Sequence, residues 1–201
     1  MKPRGRRGKP SEPFTVFLDR DGVFNRNLPL GVRLYRNLEW LPGARESFAR
    51  LNEPWIRTCL VTNQPWVGLL TATPGMIRRL HARFRSELER AGGRLDRIEA
   101  AYAPAWWPHR RLKPRPGMLE DGAAALEAGG WRVRKERAVM VGDKLKDAEA
   151  AAAFGIPCIL LATTSDAARL EEAARRRGVP YAAIAPDLET AVDLMLDWAK
   201  Q

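Results

Sequence analysis

Short apolar runs alternate with longer amphipathic stretches along this chain, and that alternation predicts its secondary structure. Phe14–Asp19, Ile56–Thr62, Ile98–Tyr102, Ala138–Val141 and Cys158–Ala162 are compact, largely apolar runs that read as buried strands, with a sixth, shorter one at Tyr181–Ile184. Helices are predicted between and after them over Pro42–Leu51, Leu70–Ala91, Met118–Ala128, Lys146–Phe154, Asp166–Arg177 and Leu188–Ala199. The second is the most regular. Met76, Leu80, Phe84 and Leu88 recur at four-residue spacing with Arg and Glu between them, and Gly92-Gly93 stops the pattern. Val23–Leu38 has no clean period and contains Pro29 and Gly31, so it reads as a loop or flap. Ala103–Pro116 is irregular, with four prolines beside Trp106 and Trp107.

Strands that alternate with helices predict an α/β architecture, a Rossmann-like open, mostly parallel sheet with helices on both faces. A length of 201 residues suits one domain over 13–201, preceded by a flexible basic arm at 1–12. Neither an internal repeat nor a large inserted cap domain is visible. In such sheets ligands bind beyond the carboxyl ends of the strands, so chemistry is expected directly after the first, second and fourth strands.

Composition is that of an ordinary globular protein, 45% hydrophobic and 29% charged. No apolar run approaches the roughly 18 residues that suggest a membrane span, and no apolar signal core follows the basic start, so the expected location is the cytoplasm. Cys59 and Cys158 each sit inside a strand-like run and are expected to be buried free thiols. Net charge is +10, and five of those charges (Lys2, Arg4, Arg6, Arg7, Lys9) fall in the first ten residues, which reads first as a solvated terminus.

The strand ends carry the candidate chemistry. Asp19 and Asp21 close the first strand, Thr62-Asn63-Gln64 the second, and Gly142-Asp143-Lys144 the fourth, with Asp147 a helical turn later. Lys113-Pro114-Arg115-Pro116-Gly117-Met118 opens a helix. Asp19, Asp21 and Asp143 are hard oxygen donors of the kind that hold magnesium together with a phosphate. A carboxylate can also take a phosphoryl group as an acyl phosphate, splitting one displacement into two. Thr62, Asn63 and Lys113 offer a hydroxyl, an amide and a point charge to phosphoryl oxygens. Singly, each fragment reads as a turn, a cap or a proline-opened helix. Four of them in this order, each at an element boundary on one edge, favour catalysis.

These fragments, DRDGVFN, TNQ, KPRPGM and VGDKLKDAEAA, with EWLPG at 39–43, resemble the haloacid dehalogenase (HAD) superfamily of aspartate-nucleophile phosphatases over nearly the whole chain. The branch they are most similar to holds the D-glycero-D-manno-heptose 1,7-bisphosphate phosphatases and the histidinol-phosphatase domain. The resemblance implies that Asp19 attacks phosphorus and that Asp21 serves as acid and then base. Magnesium would be held by Asp19, the Asp21 main-chain carbonyl and Asp143, with Asp147 supporting that shell. Thr62, Asn63 and Gln64 would meet the phosphoryl group, Lys113 would neutralise it and orient Asp19, and Lys144 would approach the substrate or the metal. The chain departs from the branch at three places. Tyr102–Arg111 has no cysteine, so no zinc is expected; Leu112 stands where the branch carries arginine before the lysine; and TNQPWVGLL replaces TNQSGIARG.

The leading reading is a magnesium-dependent phosphomonoesterase acting on a small phosphorylated metabolite such as a sugar bisphosphate. Two readings compete with it. One is a nucleic-acid 3′-phosphatase, in which the basic arm, Arg110-Arg111 and Trp106-Trp107 contact a strand; the other is a non-catalytic binding protein that keeps the fold. The preferred role for the two tryptophans is packing their loop onto the sheet.

Overall fold

A computed structural model describes residues 12–29 and 31–200. The predicted basic arm lies outside the described residues except for Glu12, which pairs with Arg134 at 2.8 Å. Six strands form one parallel sheet in the order β3-β2-β1-β4-β5-β6. They are β1 Phe14–Leu18, β2 Ile56–Asn63, β3 Arg97–Ala101, β4 Ala138–Gly142, β5 Cys158–Leu161 and β6 Ala183–Ala185. The helices are α1 Ala44–Ala49, α2 Pro74–Arg90, α3 Gly117–Ala128, α4 Leu145–Phe154, α5 Ala167–Arg177 and α6 Leu188–Trp198.

Alternation along the strands divides the core into two. Phe14, Val16 and Leu18 of β1 join Leu60, Val139 and Val141 under Phe48 of α1, Phe84 and Leu88 of α2, and Val192 of α6. Phe17 joins Cys59, Val61, Met140 and Leu160 under Met118 of α3, Ala148 and Ala151 of α4, and Ala174 of α5. Strands covered on both faces must be apolar at every position, which is why β1, β4 and β5 read as continuous runs. The chain leaves β1 toward β3 on one side and returns to β4 on the other, so β1 and β4 flank the point where strand order reverses. Leu18 is level with Leu60 and Val141, so residues just past all three strands share one edge.

Several elements differ from the sequence-based expectation. The helix expected from Leu70 begins at Pro74, because Thr73 caps it by accepting from Met76 N at 3.2 Å and proline occupies the first turn. Its buried stripe is Ile77, Leu80, His81, Phe84 and Leu88, with Ile77 in the place assigned to Met76. The segment expected as a flap starts inside the core. Val23, Phe24 and Val32 are buried, and the Phe24 ring meets Phe48 and Phe84 edge-on, each at 5.3 Å. Trp106 and Trp107 are 72% and 60% exposed, so they do not pack their loop onto the sheet. Cys59 and Cys158 are buried free thiols. No helix among the described residues is long and apolar enough to cross a membrane.

Phe84 also stacks on Trp40, with centroids 4.9 Å apart, and so joins α2 to the segment that follows β1. Phe84→Ala is expected to lower unfolding stability by about 3–5 kcal/mol, and Thr73→Ala by about 1 kcal/mol. Urea denaturation measures both, as a lower midpoint at unchanged slope.

Candidate active site

Three carboxylates converge beyond the β1 and β4 ends. Asp19, Asp143 and Asp147 are buried, and each brings an oxygen within 4.8 Å of the others'. Asp19 continues β1, its N–H donating to Val141 O at 2.9 Å, and Asp147 lies in the first turn of α4. Gly22 makes the close approach feasible. It sits at φ +86, and a Cβ there would lie 2.2 Å from Asp143 Oδ2, so a side chain would collide with the carboxylate.

Lys113 supplies the counter-charge. Its Nζ lies 3.0 Å from Asp19 Oδ1 and 2.7 Å from Asp147 Oδ1, and donates to Val61 O at 2.8 Å, so a fully buried ammonium meets three oxygens. Burial works against this charge, but Asp147 and Asp19 outweigh it and raise the lysine's pKa. Burial would likewise raise Asp19, yet Lys113 and Lys146 overcome it and hold the group below the ordinary value, as a carboxylate. Burial pushes Asp143 up to about 6, reinforced by the charges of Asp19 and Asp147.

The end of β2 holds that lysine in place. Asn63 Oδ1 accepts from Lys113 N and Asn63 Nδ2 donates to Lys113 O, both at 3.1 Å, so its side-chain amide is committed to the loop. Gln64 is fully buried, and its Nε2 donates to Thr62 Oγ1 at 2.9 Å and to Asp21 Oδ2 at 3.2 Å. Lys144 is the more open of the expected substrate contacts, with its side chain 40% exposed and its Nζ 3.8 Å from Asp143 Oδ2.

Asp21 lies apart from the carboxylate cluster in a second arrangement. The buried Arg20 guanidinium donates from Nη2 to both its oxygens, at 2.9 and 2.8 Å, and Asn25 Nδ2 donates to Oδ1 at 2.8 Å. Sequence reading passed over Arg20, Asn25 and His81, and also Asn27 and Thr164, which donate to Asp143 Oδ2 at 3.2 and 2.8 Å. The rule that located chemistry at strand ends reaches Thr164, since it lies just past β5. Arg111, next to the branch's arginine position, pairs with Glu99 and Asp121 at 2.7 and 3.2 Å, and Leu112 is buried.

The cluster fits a divalent cation. Asp143 Oδ1 is buried without a hydrogen-bond partner, and the donors around it are hard carboxylate oxygens. A cation there would relieve the repulsion that raises Asp143.

Lys113→Met leaves Asp19 and Asp147 buried without their cation, and in chelator the expected cost at neutral pH is about 3–5 kcal/mol. In the native protein Asp19 binds its proton less tightly folded than unfolded, so its stabilising contribution is present above the unfolded carboxylate value and lost in acid. Removing Lys113 inverts that sign. The deficit should grow as pH rises through the carboxylate range and shrink toward acid, which denaturation at stepped pH resolves.

Comparison with known proteins points to one family. A HAD-hydrolase-like family model matches residues 111–191. The D-glycero-beta-D-manno-heptose-1,7-bisphosphate 7-phosphatase of Rhodopseudomonas palustris is 35% identical over 159 residues, 74% of this chain and 82% of that protein. The D-glycero-alpha-D-manno-heptose-1,7-bisphosphate 7-phosphatase of Mycobacterium tuberculosis is 35% identical over 153 residues, covering 68% and 70%. Among solved structures, the D,D-heptose 1,7-bisphosphate phosphatase from B. bronchiseptica, complexed with magnesium and phosphate, superposes with a TM-score of 0.80 at 26% identity, over 92% of this chain and 98% of that one. With its acidic cluster at the β1/β4 switch point, the chain belongs to the HAD superfamily, in the family of the heptose-1,7-bisphosphate 7-phosphatases.

Proposed function

We propose that the protein is a magnesium-dependent phosphatase that transfers a phosphoryl group from a heptose 1,7-bisphosphate to Asp19 and then to water. The observation that carries this reading is the pairing of Asp19 Oδ1 with buried Lys113 inside the three-carboxylate cluster. With Oδ1 occupied, Asp19 Oδ2 is the oxygen free to attack phosphorus. The bond between phosphorus and the sugar oxygen breaks as the Asp19–phosphorus bond forms. Asp21 gives its proton to the departing sugar oxygen, then takes one from the water that attacks phosphorus, which restores both aspartates and releases phosphate. Lys113 holds Asp19 ionised and faces the developing phosphoryl charge. Thr62 and the Asn63 main chain border the phosphoryl position, and Lys144 stands at the more open rim. Asp19 and Asp143, with the Asp21 main-chain carbonyl, would hold magnesium, with Asp147 supporting from the Lys113 side. When bound, the ion neutralises charge on the phosphoryl oxygens.

The relatives' printed names supply the sugar and the 7-position, and two of them carry opposite anomers, beta and alpha. Both anomers therefore belong in the assay. Phosphate release from either heptose 1,7-bisphosphate should depend on added magnesium and stop with chelator. Asp19→Asn should abolish it while the protein stays folded by circular dichroism. Equal activity in Asp19→Asn and the native protein would sink the nucleophile assignment. Turnover of heptose bisphosphates no faster than of unrelated sugar phosphates would sink the substrate.

A further inference from the structure

We infer that His81 is a positioning residue for catalysis, acting on Asp21 through Arg20. The inference rests on the acid/base role proposed for Asp21. His81 is the one polar member of the buried stripe on α2, set among Ile77, Leu80, Phe84 and Leu88. Its Nε2 lies 3.1 Å from Arg20 Nη1. A guanidinium has donors only, so Nε2 must accept and the ring is neutral with its proton on Nδ1. Burial, with Arg20 and Arg85 adding like charge, pushes the ring down to about 3 and keeps it an acceptor at neutral pH.

Arg20 is 0% exposed, so each of its nitrogens needs a partner in the protein. Nε and Nη2 face Asp21, at 3.3 Å and at 2.9 and 2.8 Å, and Nη2 also reaches Val32 O at 3.3 Å. Nη1 has His81. The planar guanidinium is thereby pinned at opposite ends, and its orientation sets that of the Asp21 carboxylate. An apolar residue at 81 would fill the stripe equally well and leave that end of Arg20 free to turn. Packing alone therefore does not account for histidine here. His81 also lines an open cavity of about 850 Å³ between α2 and the segment after β3, so truncating it leaves a space that water can reach.

The test uses leaving groups. Transfer of phosphate from an alkyl phosphate needs a proton for the departing alkoxide, whereas 4-nitrophenolate leaves without one. kcat/KM reports steps up to formation of the acyl phosphate on Asp19. His81→Ala should lower kcat/KM for the alkyl phosphate on the order of tenfold, part of the roughly 100-fold or more that a general acid contributes, and leave 4-nitrophenyl phosphate nearly unchanged. His81→Gln, whose Oε1 can accept from Nη1, should recover most of the loss. Equal falls on both substrates, or no fall on either, overturn the inference. If the native protein hydrolyses neither, the phosphatase reading fails instead, and crystal structures still decide the contact: Arg20 keeping both bonds to Asp21 in His81→Ala overturns it.

Discussion

One buried ammonium is the condition on which the site depends. Placing Asp19, Asp143 and Asp147 within 4.8 Å of one another, all out of water, would be strongly unfavourable if each stood alone. Lys113 relieves two of the three with a single charge and closes its own third valence on Val61 O. That arrangement fixes the surrounding backbone. The loop before α3 must reach the β1–β4 edge, and Asn63 ties that loop to the end of β2 by two reciprocal bonds. Three segments distant in sequence are thus held by one electrostatic requirement, and β2 must end in a residue that can bond both the N–H and the C=O of Lys113.

The two aspartates of the first strand end are separated by the same logic. Asp19 belongs to the Lys113 cluster and Asp21 to the Arg20 cluster, so each carboxylate has its own buried cation although they are one residue apart. Positions two apart on an extended strand would share a face, so the division depends on the chain leaving the strand after Leu18 and turning at Gly22. That division also keeps Asp19 and Asp21 from competing for one counter-charge. Asp143 has no buried cation of its own. Asn27 and Thr164 serve its Oδ2, Lys144 approaches from 3.8 Å, and Oδ1 remains without a donor. The carboxylate left incompletely balanced by protein is the one best placed to take a metal ion.

Much of the fold was legible because a sheet covered on both faces demands uninterrupted apolar strands, and such runs survive in any reading. The strand-end rule then pointed to Asp19, Asp21, Thr62 and Asp143 without any knowledge of contacts, and the proline-rich start of α3 pointed to Lys113. What it could not supply was pairing. Asn63 looks like a ligand for phosphate in sequence, yet its side chain is spent on the Lys113 loop. Arg20 and His81 are sixty-one positions apart and meet only through the packing of α2 on the sheet. The start of α2 was misplaced for a local reason, since Leu69-Leu70 extends the apolar pattern past the Thr73-Pro74 cap. Leu70 is in fact 92% exposed at a positive φ of 57.

The departures from the family pattern also have a physical content that sequence alone leaves open. Where the branch carries arginine beside its lysine, this chain has Leu112, and burial of that side chain makes it part of the core under α3. Arg111 does not make up the lost charge. Its guanidinium is drawn to Glu99 and Asp121, on the α3 side of β3, where two carboxylates hold it more firmly than one exposed ion pair would. Arg111 thus braces β3 against α3. The carboxylate cluster and its lysine are held by contacts that involve neither Arg111 nor Leu112, since among the described residues Lys113 Nζ meets only Asp19, Asp147 and Val61 O.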